Sequence, residues 1–239
     1  MENQDFQFVE HLDEMRKRII KTAIAFFVSL VAAFIFVEDI YHLLSRDFNG
    51  NLTILGPSDI LWVYMMISGV FAIAVTIPVA AFQTWKFVKP GLTAPEQKLT
   101  LRFIPGLFIL FVMGISFGYF VLFPIVLSFL TSLSVGQFET MFTAEKYFRF
   151  MINLTLPFGF LFEMPLVVMF LTRLGILNPL RLAKARKLSY FILVVVSILI
   201  TPPDLVSDFI VIVPLLTLYE ISIFISKVVY RKKLLSMEQ

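Results

Sequence analysis

Four short stretches of this 239-residue chain carry the acids and donors that could do chemistry. The first is FVEHLDEMRKRI, Phe8 to Ile19. Asp13 precedes Lys17, and Glu14 precedes Arg18, by four residues, the favourable order for ion pairs on one helix face. Either these acids only neutralise their neighbours, or Glu14 offers a carboxylate to a cationic ligand. The second stretch is WKFVKPGLTAPEQK, Trp85 to Lys98. Thr93 with Glu96 three residues later fits a capping box that opens a helix. A capping carboxylate still has lone pairs for an outside donor. Trp85 and Phe87, set among basic residues, suit a bilayer interface.

The third stretch is FGFLFEMPLVVMFL, Phe158 to Leu171, with the single acid Glu163 in an apolar run. In lipid such an acid is costly and needs compensation. It bonds a neighbouring helix, lines a wet cavity or takes part in ion coupling. The fourth is TPPDLVSD, Thr201 to Asp208. Thr201 before Pro202 and Pro203 reads as a helix start, with Asp204 at the third position, where it suits the helix dipole. Asp208 follows about one turn later. A rigid capped turn explains all of these equally well. Glu220 is a second acid further along the same segment.

Several chemistries are excluded. Cysteine is absent, and the two histidines, His11 and His42, are far apart in sequence. That removes thiol chemistry and the His/Cys zinc sites. There is no phosphate-binding loop, so any energy source lies outside the chain. No cofactor, nucleic-acid or catalytic constellation is expected.

The elements that must position these residues are membrane helices. The chain is 59% hydrophobic and 15% charged, with 28 Phe and a mean hydropathy of +0.88. Soluble domains are nearer a quarter charged. The reading is an all-α integral membrane protein with one polytopic domain over 1–239. An amphipathic helix at about 5–18 is expected to lie on the membrane surface before turning into the first span. Phe8, Leu12, Met15 and Ile19 would form its apolar face. Six spans are expected at about 19–37, 61–84, 102–123, 147–172, 188–201 and 208–226. The fifth, at 14 residues, rises only about 21 Å against a core of about 30 Å. The polar lead lacks the layout of a cleaved signal. Pro78, Pro105, Pro157, Pro165 and Pro214 each remove a backbone hydrogen bond and are expected to bend their spans.

Basic residues set the orientation. Of the 20, only Arg46, Lys146 and Arg149 fall on the side opposite the chain ends. Both termini are therefore expected to be cytoplasmic, in agreement with an even number of spans. No inverted repeat relates the two halves, which weakens a transporter reading.

Together, HLDEMRKR (His11–Arg18), WKFVKPGLTAPE (Trp85–Glu96), FEMP (Phe162–Pro165) and LITPPD (Leu199–Asp204) resemble the TatC family. This family is the multispan core of the twin-arginine, Sec-independent protein translocase. The match runs from His11 to about Lys227, with Met15 where the family usually has Leu. The resemblance implies a protein of the cell inner membrane that binds twin-arginine signal peptides on its cytoplasmic face. It implies docking of single-span TatA/TatB-type partners, further copies in a larger complex, and export of folded proteins driven by the proton motive force. Glu14, Glu96, Phe87 and Arg16 would bind the signal. Thr201, Pro202, Pro203, Asp204 and Asp208 would belong to the partner-docking edge. The spans would curve into a glove-like concave wall, with Glu163 facing its hollow. Carboxylates suit the task because a guanidinium fork gives two parallel hydrogen bonds to one carboxylate; a lysine point charge does not. The competing readings are an ion-coupled solute transporter using Glu163 and Asp208, and an assembly scaffold with no recognition role.

Overall fold

The computed structural model gives the backbone of residues 2–45, 52–92, 94–133, 141–201 and 204–235; the side chains of 2–11, 94–96, 98–99, 102 and 233–235 lie outside the description. Every described element is a helix, apart from one isolated bridge between Thr53 and Thr143. Apolar segments in lipid must satisfy their own backbone groups, and helices do so internally. Among the described residues, five helical stretches are long and apolar enough to cross a membrane: Leu12–Ile35, Pro57–Gly91, Phe103–Ser132, Ala144–Arg173 and Leu205–Lys232. The chain forms two compact units, one of Met1–Gly50 with Ile60–Phe108, the other of Asn51–Asp59 with Ile109–Gln239.

The first unit begins with α1, Glu2–Ile35. The expected turn between a surface helix and the first span is absent, because α1 runs unbroken through both. The reason is local. From Leu12 to Ile35 there is no Gly or Pro to end the helix. Helix α2, Val37–Ser45, follows after Phe36 and carries Glu38 and Asp39 in its first turn, where acids suit the dipole. Helix α3, Pro57–Val88, then leads through a 3-10 turn at Lys89–Gly91 to α4, Ala94–Phe117. Tyr64 of α3 meets Phe34 and Tyr41 edge-on, with ring centres 6.4 and 6.0 Å away.

In the second unit the third span continues past α4. A π-helical turn at Gly118–Leu122 leads into α5, Phe123–Ser132. Small residues let this span approach α6, Ala144–Phe162. A Cβ added at Gly114 would stand 2.3 Å from the Phe158 carbonyl oxygen, and one at Gly118 would stand 2.8 Å from Thr155 Cα. Thr143 caps α6, its hydroxyl accepting from Lys146 N at 3.4 Å.

The fourth span breaks at Glu163, and α7 resumes over Met164–Arg173. Pro165 has no N–H to continue the ladder. Pro78, Pro105, Pro157 and Pro214, by contrast, lie inside unbroken helices. Helix α7 ends at Gly175, whose φ of 83° is the left-handed conformation that glycine adopts without strain. Gly175 N donates to Thr172 O and Ile176 N to Leu171 O, both at 3.0 Å, closing the helix end.

Helices α8 (Pro179–Lys184), α9 (Arg186–Ile200) and α10 (Leu205–Leu235) complete the unit. With its 15 residues α9 is the short fifth span, rising about 22 Å. Thr172 of α7 and Ser226 of α10 share a buried hydroxyl bridge of 2.7 Å. The outer turn differs from the expectation in two details. Thr201 closes α9 as its C-cap rather than opening the next helix. Asp204 precedes α10 and caps it, accepting from Ser207 N at 2.7 Å, rather than sitting in its third position.

Candidate functional site

At the basic-rich end of the first unit, α1 delivers both expected pairs. Lys17 Nζ lies 2.7 Å from Asp13. Arg18 bonds Glu14 through Nε, at 3.2 Å, and through Nη2. Two nitrogens of one guanidinium therefore meet a single oxygen, Oε1, and Glu14 Oε2 takes no part in that pair. Arg16 is exposed on the same helix. It stands two residues from Glu14, a spacing that turns the two side chains apart.

The second stretch is organised by stacking. Phe82 and Trp85 stack with centres 5.6 Å apart, Lys86 lies 4.6 Å over Phe82, and Lys89 lies 5.3 Å over Trp85. Such cation–π contacts hold the ammonium groups where water and ring meet. Gln97 then fastens the 3-10 turn to α4, its amide donating to Lys89 O at 3.1 Å and Leu92 O at 3.0 Å. The expected capping box falls on Thr93, which lies outside the described residues, as does the side chain of Glu96 in the first turn of α4. Phe87 and Arg18 line one groove of about 660 Å³ between α1 and α3. This juxtaposition was not legible in the sequence. Two of the expected binding residues are thereby linked, since Arg18 carries Glu14.

In the second unit, Glu163 occupies the break between α6 and α7. It is half-buried, and its Oε1 has no hydrogen-bond partner. Its backbone carbonyl accepts from Leu166 and Val167, both at 3.0 Å, so the main chain is satisfied and the carboxyl is not. At the outer turn, Thr201 bonds the Asp208 carboxylate and donates to Ser197 O at 2.9 Å. Asp204 Oδ2 and Ser207 Oγ are buried without partners. Pro202 and Pro203 lie outside the described residues.

One constellation was missed by sequence reasoning. Arg186 grips both oxygens of Glu220 at 2.8 Å, and Tyr190 donates to Glu220 Oε1 at 2.6 Å. Tyr219, edge-on to Tyr190 at 5.8 Å, donates to Leu182 O at 3.0 Å. The only signal was a basic residue and an acid at the same end of consecutive spans, 34 residues apart. Among the described residues no cluster of three or more His, Cys, Asp or Glu side chains is placed to hold a metal.

Comparison with known proteins gives the surroundings of these features. Residues 10–214 match the family model described as Sec-independent protein translocase protein (TatC). The chain is 68% identical over 234 residues to TatCd of Bacillus subtilis strain 168, covering 98% of this chain and 97% of that one. It is 44% identical to TatCy of the same strain, over 97% of this chain and 93% of the relative. A crystal structure of the twin-arginine translocase receptor TatC superposes with a TM-score of 0.80 at 32% identity, covering 92% of this chain and 99% of the other.

Proposed function

The chain belongs to the TatC family of Sec-independent protein translocase proteins, and from that premise we propose that it is the receptor for twin-arginine signal peptides. It is a multi-pass membrane protein and a translocase component, not an enzyme. In the proposed arrangement both termini and the Glu14 end of α1 face the cytoplasm, and the membrane is the inner one. Glu14 and Glu96 accept the two signal arginines, with Arg16 and Phe87 flanking them.

The observation that carries this reading is Glu14 itself. Its carboxylate already receives a guanidinium, from Arg18, and retains a second oxygen outside that pair. A carboxylate so placed accepts an arginine fork by the same chemistry. Partner docking is assigned to the edge formed by α9, α10 and the turn from Thr201 to Asp208. Helix α9 is too short to cross a bilayer core of about 30 Å unaided, and a single-span TatA/TatB-type helix beside it completes the crossing. Export is driven by the proton motive force, and further copies join the complex.

The transporter alternative gains less support. Asp208 is engaged by Thr201 at the outer turn, while Glu163 sits at the helix break without a side-chain partner at Oε1. The deciding experiment compares signal peptides bearing Arg-Arg and Lys-Lys on the purified chain, with Glu14→Gln and Glu96→Gln in parallel. Tight binding of Arg-Arg alone, weakened in both variants, is expected. Equal affinity for the two peptides removes the receptor assignment.

A further inference from the structure

The link between α7 and α9 carries positive charge that the described residues leave unanswered. From Met164 to Pro203 the sequence holds five basic residues and no acid. Arg186 is met from outside this stretch, by Glu220 of α10. Arg181, Lys184 and Lys187 are exposed, and among the described residues no acid forms an ion pair with them.

These three cations share a surface with apolar side chains. Helix α8 is pinned from one side: Pro179 is buried, and Tyr219 of α10 donates to Leu182 O at 3.0 Å. At about 100° per residue, Pro179, Leu182 and Ala183 fall on that side, while Leu180, Arg181 and Lys184 fall on the other. Their exposures agree, since Leu180 is 65% exposed and Leu182 and Ala183 are half-buried. On α9 the same turn sets Arg186 and Tyr190 toward Glu220 and sends Lys187, Leu188 and Phe191 away from it. Leu188 is 63% exposed and Phe191 66%. Lys187 therefore heads an apolar stripe that runs on down the short span.

Charge and position together name the occupant. The cations stand where α7 ends and α9 begins, and the stripe below Lys187 is the side of a membrane helix, where acyl chains lie. A free anion would answer the charges and leave Leu180, Leu188 and Phe191 in water. A zwitterionic headgroup carries its own ammonium, which cancels much of the attraction. An anionic phospholipid supplies both halves, a net negative headgroup and an apolar tail. We propose that α8 and the first turn of α9 form a docking surface for anionic phospholipid, with the headgroup phosphate across Arg181, Lys184 and Lys187 and an acyl chain against Leu188 and Phe191. The Arg186–Glu220 clamp and the Tyr219–Leu182 bond tie this surface to α10, so the bound lipid fixes the depth of α9 and α10 together.

The test uses the full chain in phosphatidylcholine vesicles doped with a brominated lipid, either phosphatidylglycerol or phosphatidylcholine. Bromine quenches tryptophan fluorescence on contact. A Phe191→Trp reporter, in a background of Trp62→Phe and Trp85→Phe, reads the lipid beside the stripe. Stronger quenching by brominated phosphatidylglycerol at equal doping is expected. Lys187→Gln should lower that preference about fivefold, the equivalent of one charge at an anionic surface. Arg181→Gln, Lys184→Gln and Lys187→Gln combined should abolish it, while Arg181→Lys keeps it. Arg231→Gln with Lys232→Gln, which removes exposed charges at the end of α10, should leave it unchanged. Equal quenching by the two lipids in the parent, a preference that survives the triple variant, or an equal loss in the α10 pair overturns the proposal. Two competitors at matched ionic strength complete the test. Loss of the preference on adding inorganic phosphate would make this a site for free anions, and loss on adding a polyglutamate peptide would give the surface to an acidic protein segment; either result overturns the lipid assignment.

Discussion

Arg18 lays its guanidinium on the Glu14 carboxylate one helical turn back along α1. The proposed receptor acid is therefore already occupied on one oxygen, and an incoming arginine shares or displaces a resident one. This makes discrimination sharper. A ligand must do better than a guanidinium that is tethered at no entropic cost of encounter.

Removing the resident should help the guest. An i, i+4 ion pair on a helix is worth about 0.3–0.5 kcal/mol, which is about a factor of two in affinity. Arg18→Gln is therefore expected to bind an Arg-Arg signal about twofold tighter, measured by titration of labelled peptide. A large loss instead would make Arg18 part of the binding surface rather than a competitor.

Two glycines should respond in opposite directions to the same added methyl. At Gly114 a Cβ meets the Phe158 carbonyl oxygen at 2.3 Å, so Gly114→Ala should destabilise by about 1–3 kcal/mol. At Gly69, inside α3, a Cβ meets nothing within 4 Å. There Gly69→Ala should stabilise by up to about 1 kcal/mol, through helix propensity. Thermal unfolding in detergent reads both.

The Arg186–Glu220 clamp depends on the planar fork, not on charge alone. Arg186→Lys keeps the charge but loses the two parallel 2.8 Å bonds. A lower unfolding temperature is expected for Arg186→Lys, and a larger drop for Glu220→Ala, which strands both Arg186 and the Tyr190 hydroxyl. An unfolding temperature equal to the parent's for Glu220→Ala would show that the α9–α10 pairing stands on apolar contact alone.

Glu163 should separate stability from function. Its Oε1 is buried and unpaired, and replacing an unsatisfied polar group by an apolar one of similar size relieves that cost. Glu163→Leu is expected to be as stable as the parent or more so, yet to lose export in a transport assay. Full export by this variant would reduce the acid to packing.

What the sequence made legible was whatever repeats at short range. The pairs Asp13–Lys17 and Glu14–Arg18 follow from four-residue spacing and are both present. The break at Glu163 follows from Pro165 two residues on. The short fifth span is visible by counting apolar residues. Length and hydropathy say nothing, however, about whether the helix turns where a polar lead joins an apolar run, so the unbroken course of α1 was missed. Thr201 was misassigned because a threonine before two prolines suits a helix start, whereas its hydroxyl is engaged backward on Ser197. The clamp at Glu220 and the groove between α1 and α3 depend on residues brought together from distant positions, and no local spacing encodes them.

The small bridge at Thr53 has a mechanical consequence. Thr53 N donates to Phe142 O and Ala144 N to Thr53 O, both at 2.9 Å, clasping two loops whose residues stand 89 apart in the chain. Everything between them, α3 through α5, becomes a closed circuit. Closing a loop that long costs entropy that rises only weakly with its length. Under a pulling force on one end of the chain, those spans should leave the membrane in a single step while the clasp holds, and one after another when Thr53→Pro removes the donor.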